Sequence, residues 1–134
     1  MKLSDIKRVR HAVEQGATIA IEDTLGMEGL KLQVRGLGNN DFSVMYGELT
    51  AALPADKRDA TGMPVEAERA RIQLECLKRT CLLGWNLDDE FTPANVDAAF
   101  ADPDMGKTWE QVLRYAAWKV GEDAKQEQDA AAKN

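Results

Sequence analysis

Residues 30 to 35 alternate strictly, with Leu30, Leu32 and Val34 on one side and Lys31, Gln33 and Arg35 on the other. A repeat of two puts successive side chains on opposite faces of a strand, so this stretch predicts a strand with one apolar face. Upstream, Ala17–Leu25 carries Ile19 and Ile21 in the same sense, with Asp23 next in step. Gly26-Met27-Glu28-Gly29 lies between the two stretches and supplies two residues that tolerate positive φ. Together they predict an antiparallel β-hairpin. A two-stranded hairpin alone is marginal in water. Its apolar face must therefore be covered, either by helices of the same chain or by a second copy.

Elsewhere the period changes to that of a helix. Ile6, Val9 and Val13 predict a short amphipathic helix in the first 15 residues, whose polar side carries Lys2, Lys7, Arg8, Arg10 and His11. Gly36-Leu37-Gly38 breaks the second strand, and Asn39 or Asn40 is placed to cap the helix that follows. That helix has Phe42, Met45, Tyr46, Leu49 and Leu53 on one face, expected to be core, and stops at Pro54. Pro54–Met63 is polar and reads as a mobile loop. A long helix is expected over Pro64–Leu83, with Gly84 as its terminator and Trp85–Phe91 as a loop. Thr92-Pro93 then starts a short helix bearing Val96, Ala99 and Phe100. The final helix, from about Lys107, buries Trp109, Val112, Leu113, Ala116 and Val120. The expected fold is α+β, mainly α: a short N-terminal antiparallel β-hairpin followed by four helices. Residues 1–121 form a single domain, and 122–134 form a polar tail, flexible or a frayed extension of the helix.

Chemistry-bearing residues are sparse. The 134 residues include one histidine and two cysteines. Cys76 and Cys81 stand five apart, which is neither the spacing nor the helical face of a metal or redox pair. They are expected as small core residues in a reducing compartment. The two glycines of Gly36-Leu37-Gly38 lack the Gly-Lys-Ser/Thr of a phosphate loop. After Asp102 and Asp104 the glycine comes too early for a calcium loop, and Leu113 stands where its glutamate belongs. No catalytic set, metal or cofactor is expected. Seventeen Lys+Arg against 23 Asp+Glu leave a net charge of −6, which disfavours nucleic acid as a partner. No apolar run approaches the roughly 18 residues of a membrane span, and the start lacks the apolar stretch of a secretory signal.

The aromatic residues point outward as well as inward. Trp109 belongs to the apolar stripe of the last helix, whereas Trp118 lies two residues from both Ala116 and Val120 and projects almost opposite them. With Tyr115 it makes an aromatic pair off the core face, of the type enriched in protein–protein contacts. Tyr115, Trp118, Leu30, Leu32 and Val34 are therefore the candidate partner-binding residues.

Three segments in order resemble the tail assembly chaperones of long-tailed, siphovirus-type bacteriophages. They are LQVRGLGNNDF (Leu32–Phe42), LLGWNLDDEFTPANVDAAFAD (Leu82–Asp102) and KTWEQVLRYAAWKVG (Lys107–Gly121). The likeness covers about Leu30 to Gly121, and it transfers a role rather than catalytic residues. It implies a non-catalytic protein of the host cytoplasm, absent from the mature virion. Such a protein self-associates as a homo-oligomer and coats the tape-measure protein, keeping it soluble while the tail tube assembles. It further implies a longer frameshifted form that engages the tail tube protein, and the closing Ala132-Lys133-Asn134 is compatible with codons of the slippery type that such a shift uses. The alternative is a structural tail-completion or minor tail protein of the virion.

Overall fold

The structure, a computed structural model, describes residues 1–22 and 26–133. Among them the chain is α+β, with five α-helices and a three-stranded antiparallel sheet. Helix α1 (Leu3–Gln15) leads directly into strand β1 (Ala17–Ala20), which pairs with β2 (Lys31–Val34) in the register Ile19 to Leu32 and Ala17 to Val34. The Ile21 amide continues this ladder by donating to the Leu30 carbonyl at 2.8 Å. Asp23, expected on the inner side of the strand, lies outside the described residues.

A third strand, β3 (Leu82–Trp85), pairs with the other side of β2 and is the main correction to the expected order. The helix expected over Pro64–Leu83 is shorter: α3 spans Glu66–Cys76 and passes into a π-helical turn over Leu77–Cys81. Widening to i→i+5 lets the Leu82 amide reach the Leu77 carbonyl and releases the chain straight into the sheet. It also turns Cys76, Leu77, Thr80 and Cys81 inward together. Gly84 thus serves as a strand residue rather than a helix terminator, and the side chain of Gln33 lies over it, where a Cβ would sit 2.9 Å from Oε1.

One face of the sheet is covered by this chain's own α5 (Gly106–Lys133), which sets Trp109, Val112, Leu113, Ala116, Ala117 and Val120 against Ile19, Leu32, Val34 and Leu82. Burying each large apolar side chain contributes roughly 1.5–3 kcal/mol, so this layer is the principal stabilising contact. The opposite face, with Thr18, Ala20, Lys31 and Gln33, is exposed. Helix α4 (Pro93–Ala101) caps the same core with Val96, while Phe100 and Met105 flank it. Thr92 caps α4 as expected, its hydroxyl accepting from the Asn95 amide at 3.1 Å.

One further expectation needs correcting. Helix α2 (Asn40–Ala51) was expected to be core along Phe42, Met45, Tyr46 and Leu49, but these are only half-buried, because α2 packs on α3 at the margin of the molecule. Of the two alternatives left open for the segment after Gly121, the structure has the helical one: it continues α5 without a break, and its far half packs along α1. There Gln128 Nε2 donates to Asp5 Oδ1 at 2.6 Å, a contact between the two ends of the chain that local composition does not reveal. The Pro54–Met63 loop is built around Asp59, whose Oδ1 accepts from the Thr61 amide at 2.9 Å, the Thr61 hydroxyl at 2.6 Å and the Met63 amide at 3.1 Å.

Candidate interaction surface

The five candidate partner-binding residues separate into two groups. Leu30, Leu32 and Val34 are 5%, 0% and 0% exposed, because α5 and the residues around it cover the face they share. They are core and present no surface to a partner, which corrects their expected placement. Tyr115 and Trp118 are each 51% exposed, with ring centroids 6.0 Å apart and planes tilted by 37°. An aromatic pair left half in water retains much of the apolar area that a contact would bury.

Beside this pair runs a groove of about 660 Å³ between α5 and β1. Ile21, Val112 and Tyr115 line it, with Thr18 on the strand side and Lys119 and Asp123 towards one end. Lys119 Nζ lies 3.1 Å from Asp123 Oδ1, and that hydrogen bond holds the ammonium above its usual range. The strand wall of the groove is a sheet edge. Since Ile21 donates to β2, alternation turns the backbone of Ala17, Ile19 and Ile21 inward and that of Thr18 and Ala20 outward. Among the described residues nothing hydrogen-bonds those outward groups. Natural edges are usually guarded by charge, proline or a bulge, and Ala17-Thr18-Ile19-Ala20 has none of these. The strand edge escaped the sequence reading because its availability depends on which neighbour β2 takes on each side. Its one local signal was a short β-prone segment free of charge and proline.

A second groove, of about 680 Å³, lies between α1 and the far half of α5, lined by Ile6, Val9 and Val13 with Lys125 and Gln128 opposite. Ile6 is exposed within it.

The junction of α1, β2 and α2 is held by charge. Arg35 reaches Glu14 Oε2 and Asp41 Oδ2, both at 2.6 Å, and its Nε donates to the Glu14 carbonyl at 2.8 Å. The other Glu14 oxygen lies 2.7 Å from Arg10 and accepts from the Asn40 amide at 2.8 Å. Burial alone would raise the Glu14 carboxyl, but the Asn40 amide, Arg35 and Arg10 together outweigh it and hold the group below its ordinary value. Asp97 is likewise depressed, first by Lys78 at 3.0 Å and then by Arg79 at 2.8 Å. Groups depressed on folding stabilise the native state above their unfolded pKa and lose that contribution as pH falls through the folded one. The urea midpoint should therefore hold from neutrality to about pH 5 and fall below about pH 4. Glu14→Gln with Asp97→Asn should flatten that fall; an unchanged acid limb in the double variant would refute the assignment.

Several other polar side chains make local structural contacts. Asn39 is fully buried and caps α2, its Oδ1 accepting from the Phe42 amide at 2.8 Å while Nδ2 donates to the Gly36 carbonyl at 3.1 Å. Asp102 Oδ1 accepts from the amides of Asp104 and Met105 at 2.8 and 2.9 Å, ahead of α5. Asp89 contributes its carbonyl to the Trp85 indole N–H at 2.8 Å. Cys76 and Cys81 are both buried free thiols, and burial pushes each up. Among the described residues no group of three or more His, Cys, Asp or Glu side chains is arranged to hold a metal ion. Nor is any described helix long and apolar enough to cross a membrane.

Compared with protein families, curated proteins and solved structures, the chain matches none of them.

Proposed function

We propose that this chain is a non-catalytic assembly chaperone of the phage-tail type, which self-associates and coats the tape-measure protein in the host cytoplasm. The observation that carries the reading is the unguarded β1 edge beside the half-exposed Tyr115 and Trp118. Such a surface combines backbone hydrogen-bonding groups with aromatic area, and both are suited to a protein partner rather than to a small substrate. The net charge of −6 fits a protein that must stay soluble while exposing such a patch. Repetition of a modest contact along a long client raises overall affinity without a large single interface. A longer translation product would add the tail tube protein as a partner, and the chaperone would be missing from finished particles by mass spectrometry.

Co-expression with a tape-measure fragment tests the reading. The fragment is expected in the soluble fraction and to co-purify with the chain; an insoluble fragment with no co-purification would overturn it. Trp118→Ala is expected to weaken capture by about 2 kcal/mol, roughly thirty-fold, as for a truncated aromatic hot spot. The same variant should shift folding stability by no more than about 0.5 kcal/mol, because the side chain is outside the core. Unchanged capture would remove Trp118 from the contact.

A further inference from the structure

We propose that the β1 edge is the site where two copies of this chain join, strand to strand, about a twofold axis at Ile19. The inference rests on the self-association in the reading above and names the surface that performs it. An isologous contact requires a patch that complements itself. With the axis at Ile19, Thr18 of each copy stands opposite Ala20 of the other. These are the two residues whose backbone groups point outward from β1, so both pairs exchange N–H···O bonds, and the two Ile19 residues meet at a non-bonded position. A one-residue slip would oppose outward groups to inward ones and lose the ladder. The outcome is a continuous six-stranded antiparallel sheet, and no proline or charge in Ala17–Ala20 opposes it.

The helices fit the same axis. Helix α5 crosses both β1 and β2, so joining the edges sets the two α5 helices about two strand spacings apart, roughly 10 Å. That is the upper end of ordinary helix–helix packing distances. The axis also makes the helices antiparallel. The groove between α5 and β1 is lined from Thr108 to Asp123, with Tyr115 at its middle. Opposing Tyr115 to itself brings Asp123 of each copy, already bonded to its own Lys119, towards the exposed Lys107 of the other, so that each carboxylate gains a second cation. The second copy thereby closes the groove on which Tyr115 opens. It is this charge match and helix spacing, together with the self-complementary register, that select a second copy as occupant.

Light scattering of the purified chain at micromolar concentrations reads the result. The wild type should have twice the 14.8 kDa chain mass, and Ala20→Pro should return it to 14.8 kDa. Proline there removes an outward donor and leaves the ladder to β2 intact. Should Ala20→Pro fail to fold, the double variant Thr18→Cys with Ala20→Cys decides. Mild oxidation should yield a reducible cross-linked dimer, and absence of the cross-link overturns the proposal. A monomeric wild type also overturns it, as does a dimer that survives Ala20→Pro in a folded protein. A monomeric wild type whose client capture is lost on Ala20→Pro would assign the edge to the client instead, and again overturns the dimer. Failure of the wild-type dimer to solubilise the tape-measure fragment would remove the chaperone reading and leave the edge-paired dimer standing.

Discussion

Gly16→Ala should destabilise the fold by about 2–6 kcal/mol, although it adds one methyl group at a surface junction. Gly16 is the single residue between α1 and β1, with φ 82° and ψ −178°. That combination belongs to a region that only glycine occupies readily, and a residue with a side chain pays about 1–3 kcal/mol to remain there. Space is a second, independent obstacle. A Cβ on Gly16 would stand 2.3 Å from the Val34 carbonyl oxygen and 2.9 Å from its carbon. Both atoms are backbone in the central strand, so relief requires β2 to move, and overpacking of this kind typically costs a further 1–3 kcal/mol. Gly38→Ala is the control, since Gly38 has φ 77° but nothing within 4 Å of its added carbon. It should carry only the conformational part, about 1–2 kcal/mol. Urea denaturation of both variants separates the two contributions. Equal losses would show that Val34 yields freely and that the junction is softer than its geometry.

What sequence can disclose here follows from how local each signal is. The alternation at Leu30–Arg35 and the stripe from Trp109 to Val120 are set by backbone period within a few residues, so strand and helix were both legible. The same periodicity placed Trp118 and Tyr115 outside the core. It could not say what covers the apolar face of the hairpin, because Leu32 and Val34 meet α5 some 80 residues later. β3 was hidden for a different reason. Leu82–Trp85 follows a helix with no proline or polar break, and the π-helical turn that ends the helix has no signature in a 3.6-residue pattern. Past Gly121 the composition allowed a helix, but with no large apolar residue there the packing that holds it was hidden. The helix persists there because Ala, Lys, Gln and Glu favour it, and because α1 supplies a packing partner. The Arg35–Glu14 pair spans 21 residues and joins elements of opposite period, so only the assembled fold brings it together.

Trp109→Ala should cost about 3–5 kcal/mol, the usual range for truncating a buried aromatic residue. Trp109 is 9% exposed and stands where three elements meet. Its ring centroid is 5.9 Å from Trp85 on β3 and 5.9 Å from Phe100 on α4, and Trp85 in turn makes an edge-on contact with Phe91 at 5.1 Å. Removing the indole takes away transfer free energy and leaves a void that these rings cannot close together. Trp85 is tied through its N–H to the Asp89 carbonyl, and Phe100 lies on a helix capped at Thr92. Trp109→Phe keeps an aromatic ring in the same space and should recover much of the loss. The comparison with Trp118→Ala sharpens the test, because both variants delete the same side chain from the same helix, from the core in one case and from a half-exposed position in the other. Chemical denaturation should show a large shift for Trp109→Ala and a small one for Trp118→Ala. If both variants unfold alike, Trp118 is structural and the exposed aromatic pair no longer supports a binding role; if Trp109→Ala is nearly silent, the aromatic cluster does not hold α4 and β3 to α5.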